Sequence, residues 1–217
     1  MRLVVIVEGD TEAEFVQAVL APHLARCGLP NVSWFSVGGG ATWGRWRRDI
    51  KKTLESGNPD LRITTMFDVY RLPHDFPGRS SCMAHATPQA RVTCLETALA
   101  TDIADRRSRL IPYLQLHEFE SLVLASLHQL ERYLDPMERE GLTALQAELD
   151  ETPPEEVNHG IATAPSKRLE KHLPSYDKRL HGPLAVLGAG LPHLRATCPH
   201  FNDWLCQLEA LCPSPTP

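Results

Sequence analysis

The feature that most constrains this chain is its start, where Leu3-Val4-Val5-Ile6-Val7 runs without polar alternation and stops at Glu8-Gly9. Five consecutive aliphatic side chains leave no solvated face. Such a run suits a strand covered on both sides, as in a parallel sheet layered between helices. Gly9 supplies the turn out of it, Thr11 followed by Glu14 forms a capping-box pattern, and the acids at Glu12 and Glu14 suit the positive end of a helix. Phe15, Val16, Val19, Leu20 and Leu24 then recur at helical spacing, with a kink expected at Pro22 and a stop at Gly28.

The same grammar repeats downstream. Strands are expected at 32–37, 62–67 and 110–116, helices at 43–55 and 88–106, and a proline-rich loop at 69–78. A short helix through Leu124 follows His117-Glu118-Phe119-Glu120, and from Leu127 the chain turns helical to its end. The order predicts an α/β fold with a mostly parallel four-stranded sheet flanked by helices, extended by a helical C-terminal part. The expected division is a core at 1–126, a helical extension packing on it at 127–212, and a frayed tail at 213–217.

Composition excludes several classes. Hydrophobic residues make up 42% and charged residues 23%, as in ordinary globular proteins, and no apolar run approaches the roughly 20 residues of a membrane span. Nothing at the start reads as an export signal, so a cytoplasmic location and no membrane association are expected. The formal net charge of −5 opposes broad charge-driven nucleic-acid binding and leaves only local basic patches for it. Six cysteines stand singly, without a Cys-x-x-Cys pair, and read as buried free thiols.

Ligands of parallel sheets bind beyond the carboxyl ends of the strands. Three of the four expected strands end on acids there: Glu8, Asp68 and Glu118. One carboxylate before a helix serves equally as a cap, but three at one edge repel unless a cation intervenes, and an all-oxygen set favours Mg²⁺ or Mn²⁺. Glu12, one turn after Glu8, either points back to this edge or is solvated. Of Glu118 and Glu120 one reaches the edge, and Glu118 is favoured. Zinc-protease, P-loop, dinucleotide-binding and nucleophile-elbow motifs are all missing.

Basic segments provide the second signal. Pro165-Ser166-Lys167-Arg168 opens a helix whose N–H groups and charges suit phosphate, with Lys171, Lys178 and Arg179 extending the charge. Arg71 stands shortly after Asp68. The helix from Trp43 carries Arg45, Arg47, Arg48, Lys51 and Lys52 beside Trp43 and Trp46. Either patch is a solvated helix face or a contact for a nucleic-acid backbone.

Val7-Glu8-Gly9-Asp10-Thr11-Glu12 with Asp68 resembles the Toprim fold of topoisomerases, primases and the overcoming-lysogeny-defect nucleases. Together with Leu72-Pro73-His74-Asp75-Phe76-Pro77-Gly78, His117-Glu118-Phe119-Glu120, Thr163-Ala164-Pro165-Ser166-Lys167-Arg168 and Cys198-Pro199-His200-Phe201, it is similar to the domain of unknown function 4276 family. The Toprim resemblance implies Glu8 as general acid or base or as metal ligand, with Asp68 as first member of an Asp-x-Asp magnesium pair whose second member is here Tyr70. Glu12, Glu118 or Glu120 would then supply the missing oxygens. Lys167 would take the part of the lysine that assists the transition state. The implied activity is a Mg²⁺- or Mn²⁺-dependent nuclease or phosphoesterase in a bacterial defence or DNA-repair system, with an ATPase partner. The competing expectation is a non-catalytic module that binds or regulates such an ATPase.

Overall fold

The computed structural model describes residues 1–55, 58–157, 160 and 163–213; of the tail expected to fray, 214–217 lie outside the described residues. β1 (Arg2–Val7) is buried at every position after its first, because strands flank it and helices cover both faces. β2 (Val32–Ser36) and β3 (Leu61–Asp68) pair with it in parallel, Leu3 lying opposite Val32 and Arg62. β4 (Leu110–Ile111) and β5 (Leu114–Gln115) both pair parallel with β3. The sheet thus has the order β2-β1-β3-β4, with β5 beside β3.

The fourth strand is broken where the sequence reading had it continuous. Pro112 cannot donate to a ladder. Thr65 bridges the gap instead: its hydroxyl donates to the Tyr113 carbonyl at 2.9 Å and accepts the Tyr113 N–H at 3.0 Å.

Helices α1 (Asp10–Phe15) and α2 (Ala21–Arg26) are joined by a π-turn at Val16–Leu20, in which the Ala21 N–H reaches the Val16 carbonyl. The expected kink at Pro22 is therefore absorbed as a widened turn, since the bond that proline cannot make is skipped. α3 (Trp43–Leu54) and α5 (Pro88–Ile103) pack on the sheet face formed by Val4, Ile6, Ile63 and Phe67. Trp43 and Trp46 are buried there and Arg47 pairs with Asp102 at 2.6 Å, so the aromatic rings expected beside the basic patch are not available for stacking on bases.

The opposite face, Leu3, Val5, Val7 and Met66, packs against α1, the π-turn and α2, and against the later helices. These are α6 (Glu120–Ala125), α7 (Leu127–Leu130), α8 (Arg139–Leu149), α9 (Pro165–His172), α10 (His181–Thr197) and α11 (Pro199–Glu209). α11 is fixed to the sheet by its Trp204 indole, which donates to the Thr64 hydroxyl at 2.8 Å and stacks on Tyr113. At its other side Glu155 accepts the N–H groups of His200 and Phe201 at 2.9 and 3.0 Å.

The loop after β3 is not irregular throughout. It carries α4 (Arg79–Cys82), and Gly78 before it has φ of 72° and no room for a Cβ, which would sit 2.7 Å from that of Ala98. This close approach brings Cys82 to Cys94 on α5 as a disulfide with a Cα separation of 5.4 Å. The expectation of six buried free thiols is corrected accordingly, and of the four free cysteines only Cys198 is buried. No helix among the described residues is long and apolar enough to cross a membrane.

Candidate functional site

The chain leaves β1 toward β2 on one side and later enters β3 on the other, so the sheet order reverses between β1 and β3. Loops diverge at such a point and leave a crevice at the carboxyl ends of the strands. A cavity of about 360 Å³ lies there, lined by Glu8, Glu12, Asp68 and Glu120, by Gly9, Ser36, Gly38 and Gly39, and by Arg71, Lys178 and Arg179.

Each acid is delivered by a local device. Glu8 follows the last residue of β1, and the Ser36 hydroxyl holds its carbonyl at 2.6 Å. Gly39 faces its side chain closely enough that a Cβ there would lie 3.4 Å from Glu8 Oε1. Asp68 is the last residue of β3. Glu12 closes back on the helix start, where its Oε2 accepts the Gly9 N–H at 2.8 Å. The helix therefore begins two residues earlier than the expected Thr11–Glu14 box, with Gly9 as the cap. Glu120 opens α6 after a sharp reversal at His117, whose φ of 63° is costly for a non-glycine residue.

The sequence reading favoured Glu118 over Glu120 for this edge; the structure places Glu120 in the cavity wall and gives Glu118 other work. Glu118 Oε1 accepts the Ser166 N–H at 2.6 Å, at the start of α9. A carboxylate of the chain itself thus sits where the basic helix start was expected to take a phosphate. Arg168 is likewise committed, to the Thr163 carbonyl at 2.9 Å and to Glu148. Lys167 is exposed and pairs with Glu170 at 2.6 Å, outside the cavity lining. Arg71 lines the cavity. Lys178 and Arg179 join it from the turn before α10, and their place has no local sequence signal beyond their charge.

Electrostatics set this edge apart. Glu8 is pushed up to about 7, by burial first and then by the neighbouring Glu12, with Arg71 and Lys178 opposing. Glu120 is also pushed up to about 7, by burial and then by Glu118. Burial raises Glu12, and Asp68 stands well above the usual carboxylate range through burial and the charges of Glu12, Glu8, Glu120 and Glu118. Glu8 Oε2 and Asp68 Oδ1 are buried without a hydrogen-bond partner. Burying carboxylate oxygens without a donor is expensive. The donor set is all oxygen, which fits a hard divalent cation.

Among the described residues no three of the cavity acids bring ligand oxygens within 4.8 Å of one another. Among the described residues, the group of three potential ligands whose atoms lie within 4.8 Å of one another is His23, Cys27 and Glu209, away from this cavity. Tyr70, at the position of the second aspartate in the Toprim resemblance, is not in the cavity wall. Its N–H goes to the His117 carbonyl at 3.0 Å, and burial with the Glu118 charge pushes its phenol up to about 12, so it stays neutral.

Fold and site together define a parallel α/β protein with a buried acidic cavity at its switch point and cations on the rim. The family model described as Domain of unknown function (DUF4276) matches residues 7–209, and the chain belongs to that family. No match is found among curated protein sequences. Among solved structures it is similar to the C-terminal region of the Burkholderia pseudomallei OLD protein, at 17% identity and TM-score 0.45 over 98% of each chain. It is also similar to the C-terminal region of the Xanthomonas campestris pv. campestris OLD protein, at 17% identity and TM-score 0.43 over 95% of this chain and 97% of that one.

Proposed function

We propose that the cavity binds Mg²⁺ or Mn²⁺ and that the protein is a metal-dependent phosphoesterase acting on nucleic acid. The observation that carries this reading is the pair of buried, unpartnered carboxylate oxygens, Glu8 Oε2 and Asp68 Oδ1, at adjacent strand ends. Glu8 and Asp68 would hold the ion, with the second oxygen of Glu12 and the carboxylate of Glu120 completing the set. When bound, the ion supplies Lewis acidity toward a phosphodiester and lowers the pKa of an attacking water. Glu8, poised near neutrality, is suited to take or return a proton at the reacting oxygen. Arg71, Lys178 and Arg179 at the cavity would receive the phosphate and offset the charge that grows on it during attack. Lys167, the expected assisting lysine, stands within electrostatic reach of Glu118 and Arg71 and would steer the chain at the rim. The Toprim resemblance of Glu8 and Asp68 supports the same assignment.

The test is cleavage of end-labelled DNA and RNA by the full chain with Mn²⁺ or Mg²⁺, against Glu8→Gln and Asp68→Asn. Cleavage that needs the cation and falls at least about a hundredfold in both variants supports the proposal. Mn²⁺ binding by calorimetry without turnover on any substrate would instead leave the non-catalytic module that docks on a partner ATPase. Absence of both Mn²⁺ binding and turnover would refute the metal-dependent reading and favour the non-catalytic module that docks on a partner ATPase.

A further inference from the structure

At the opposite, amino-terminal edge of the sheet the turn from α2 into β2 meets the end of α11. Here lie four side chains that the acidic cavity does not use. His23 and Cys27 are four residues apart across the end of α2, a spacing that places both on one helix face. Glu209 is the last residue of α11 and Cys212 follows it by one turn.

His23 Nε2 lies 2.7 Å from Glu209 Oε1 and 3.7 Å from Cys27 Sγ. The three ligand atoms all fall within 4.8 Å of one another. Cys212 stands beside this group, its thiol in hydrogen-bond contact with that of Cys27 but outside the set of atoms within 4.8 Å of one another, so it would turn in to serve as the fourth ligand. The close fit of the two segments is visible at Gly28, where a Cβ would come within 3.1 Å of the Pro213 ring. Cys27 and Cys212 are both free thiols.

We propose that His23, Cys27, Glu209 and Cys212 form a zinc site that ties the C-terminal helix to the entry of β2. Tetrahedral zinc, with Zn–N of about 2.0–2.1 Å and Zn–S of about 2.3 Å, sets a nitrogen-to-sulfur separation of roughly 3.6 Å. The Cys27–His23 pair already has that spacing. The shorter His23–Glu209 contact is a hydrogen bond that would open by well under 1 Å as the ion enters, by the same bond lengths. Glu209 is also gripped by Arg195 Nη1 at 2.7 Å, and Arg195 Nε is itself fixed on Asn202 Oδ1 at 2.8 Å. A ligating carboxylate oriented by such a partner is a regular property of built metal sites. The arginine also offsets the negative charge left when two thiolates and a carboxylate surround one Zn²⁺.

Binding breaks two S–H bonds, forms two Zn–S bonds and releases two protons to solvent, with no change of oxidation state. Four protein ligands leave no open position, so the site is structural. The mixed nitrogen, sulfur and oxygen set selects zinc, whereas the all-oxygen acidic cavity selects Mg²⁺ or Mn²⁺, so the two sites do not compete for one ion.

The test uses the full chain, reduced with a phosphine and stripped of metal, with Co²⁺ as the optical probe for zinc. Wild type is expected to show a thiolate-to-cobalt charge-transfer band and intense tetrahedral d–d bands, both abolished by one equivalent of Zn²⁺. Cys27→Ser and Cys212→Ser should each lose about half the charge-transfer intensity, one of two thiolates being removed. Asp68→Asn should leave it unchanged, which separates this site from the acidic cavity. Absence of the band in folded wild type, or its persistence at full strength in Cys27→Ser, overturns the proposal. If a serine variant does not fold, alkylation of wild type decides: one equivalent of Zn²⁺ should protect two of its thiols, and no protection overturns the proposal.

Discussion

Glu8→Gln removes a negative charge from the acidic cavity while keeping the length and planarity of the side chain. In the folded wild type Glu8 titrates near 7 rather than at its ordinary 4.5. The folded state therefore holds this proton more tightly than the unfolded chain does. The resulting destabilisation is absent below the unfolded value, grows between 4.5 and about 7, and is complete above that. A gap of roughly two and a half pH units corresponds to about 3 kcal/mol. In metal-free buffer at pH about 8 the variant should then be about 3 kcal/mol more stable than wild type, a rise of roughly 6–12 °C in Tm for a chain of this size. At pH about 4 the two should be nearly equal, since Glu8 is protonated in both states. Saturating Mn²⁺ reverses the order: at a thousand times its Kd it stabilises wild type by about 4.1 kcal/mol and leaves the variant unmoved. Urea denaturation followed by circular dichroism at both pH values, with and without Mn²⁺, measures all four quantities. A variant less stable than wild type at the higher pH, or a difference that does not change with pH, would refute the reasoning.

Other substitutions test neighbouring parts of the argument. Lys178 holds down Glu8, Glu12 and Glu120 by its charge, so Lys178→Met should move the midpoint of Mn²⁺ binding to higher pH, read by calorimetry across a pH series. Glu155→Ala removes the acceptor from two buried N–H groups at the start of α11 and should cost about 3 kcal/mol in urea denaturation, with the cavity acids untouched.

Much of the frame was legible because it is written locally. An uninterrupted aliphatic run marks a strand covered on both faces, and the residue where the run stops is at the sheet edge wherever the sheet lies. Glu8 and Asp68 could therefore be placed on one edge of the sheet from strand ends alone, whereas the pairing of their two strands side by side could not. The break of the fourth strand at Pro112 went unread, because a single residue without an N–H does not show where a ladder stops, and its repair by the Thr65 hydroxyl depends on a neighbouring strand. The choice between Glu118 and Glu120 failed because it turns on the His117 reversal, a positive φ that no local pattern announces.

The cavity's cations and the cysteine chemistry depended on distance in space. Lys178 and Arg179 line the cavity from the far end of the sequence, and the basic start of α9 is claimed by Glu118 from 48 residues away. Cys82 pairs with Cys94 only because Gly78 lets the loop lie against α5. By itself the sequence determined the layered α/β frame and an acidic edge on it, since periodic burial acts within each element. Tertiary structure alone decided which acids face the cavity, which cations answer them and which thiols meet, because those depend on how separate elements pack.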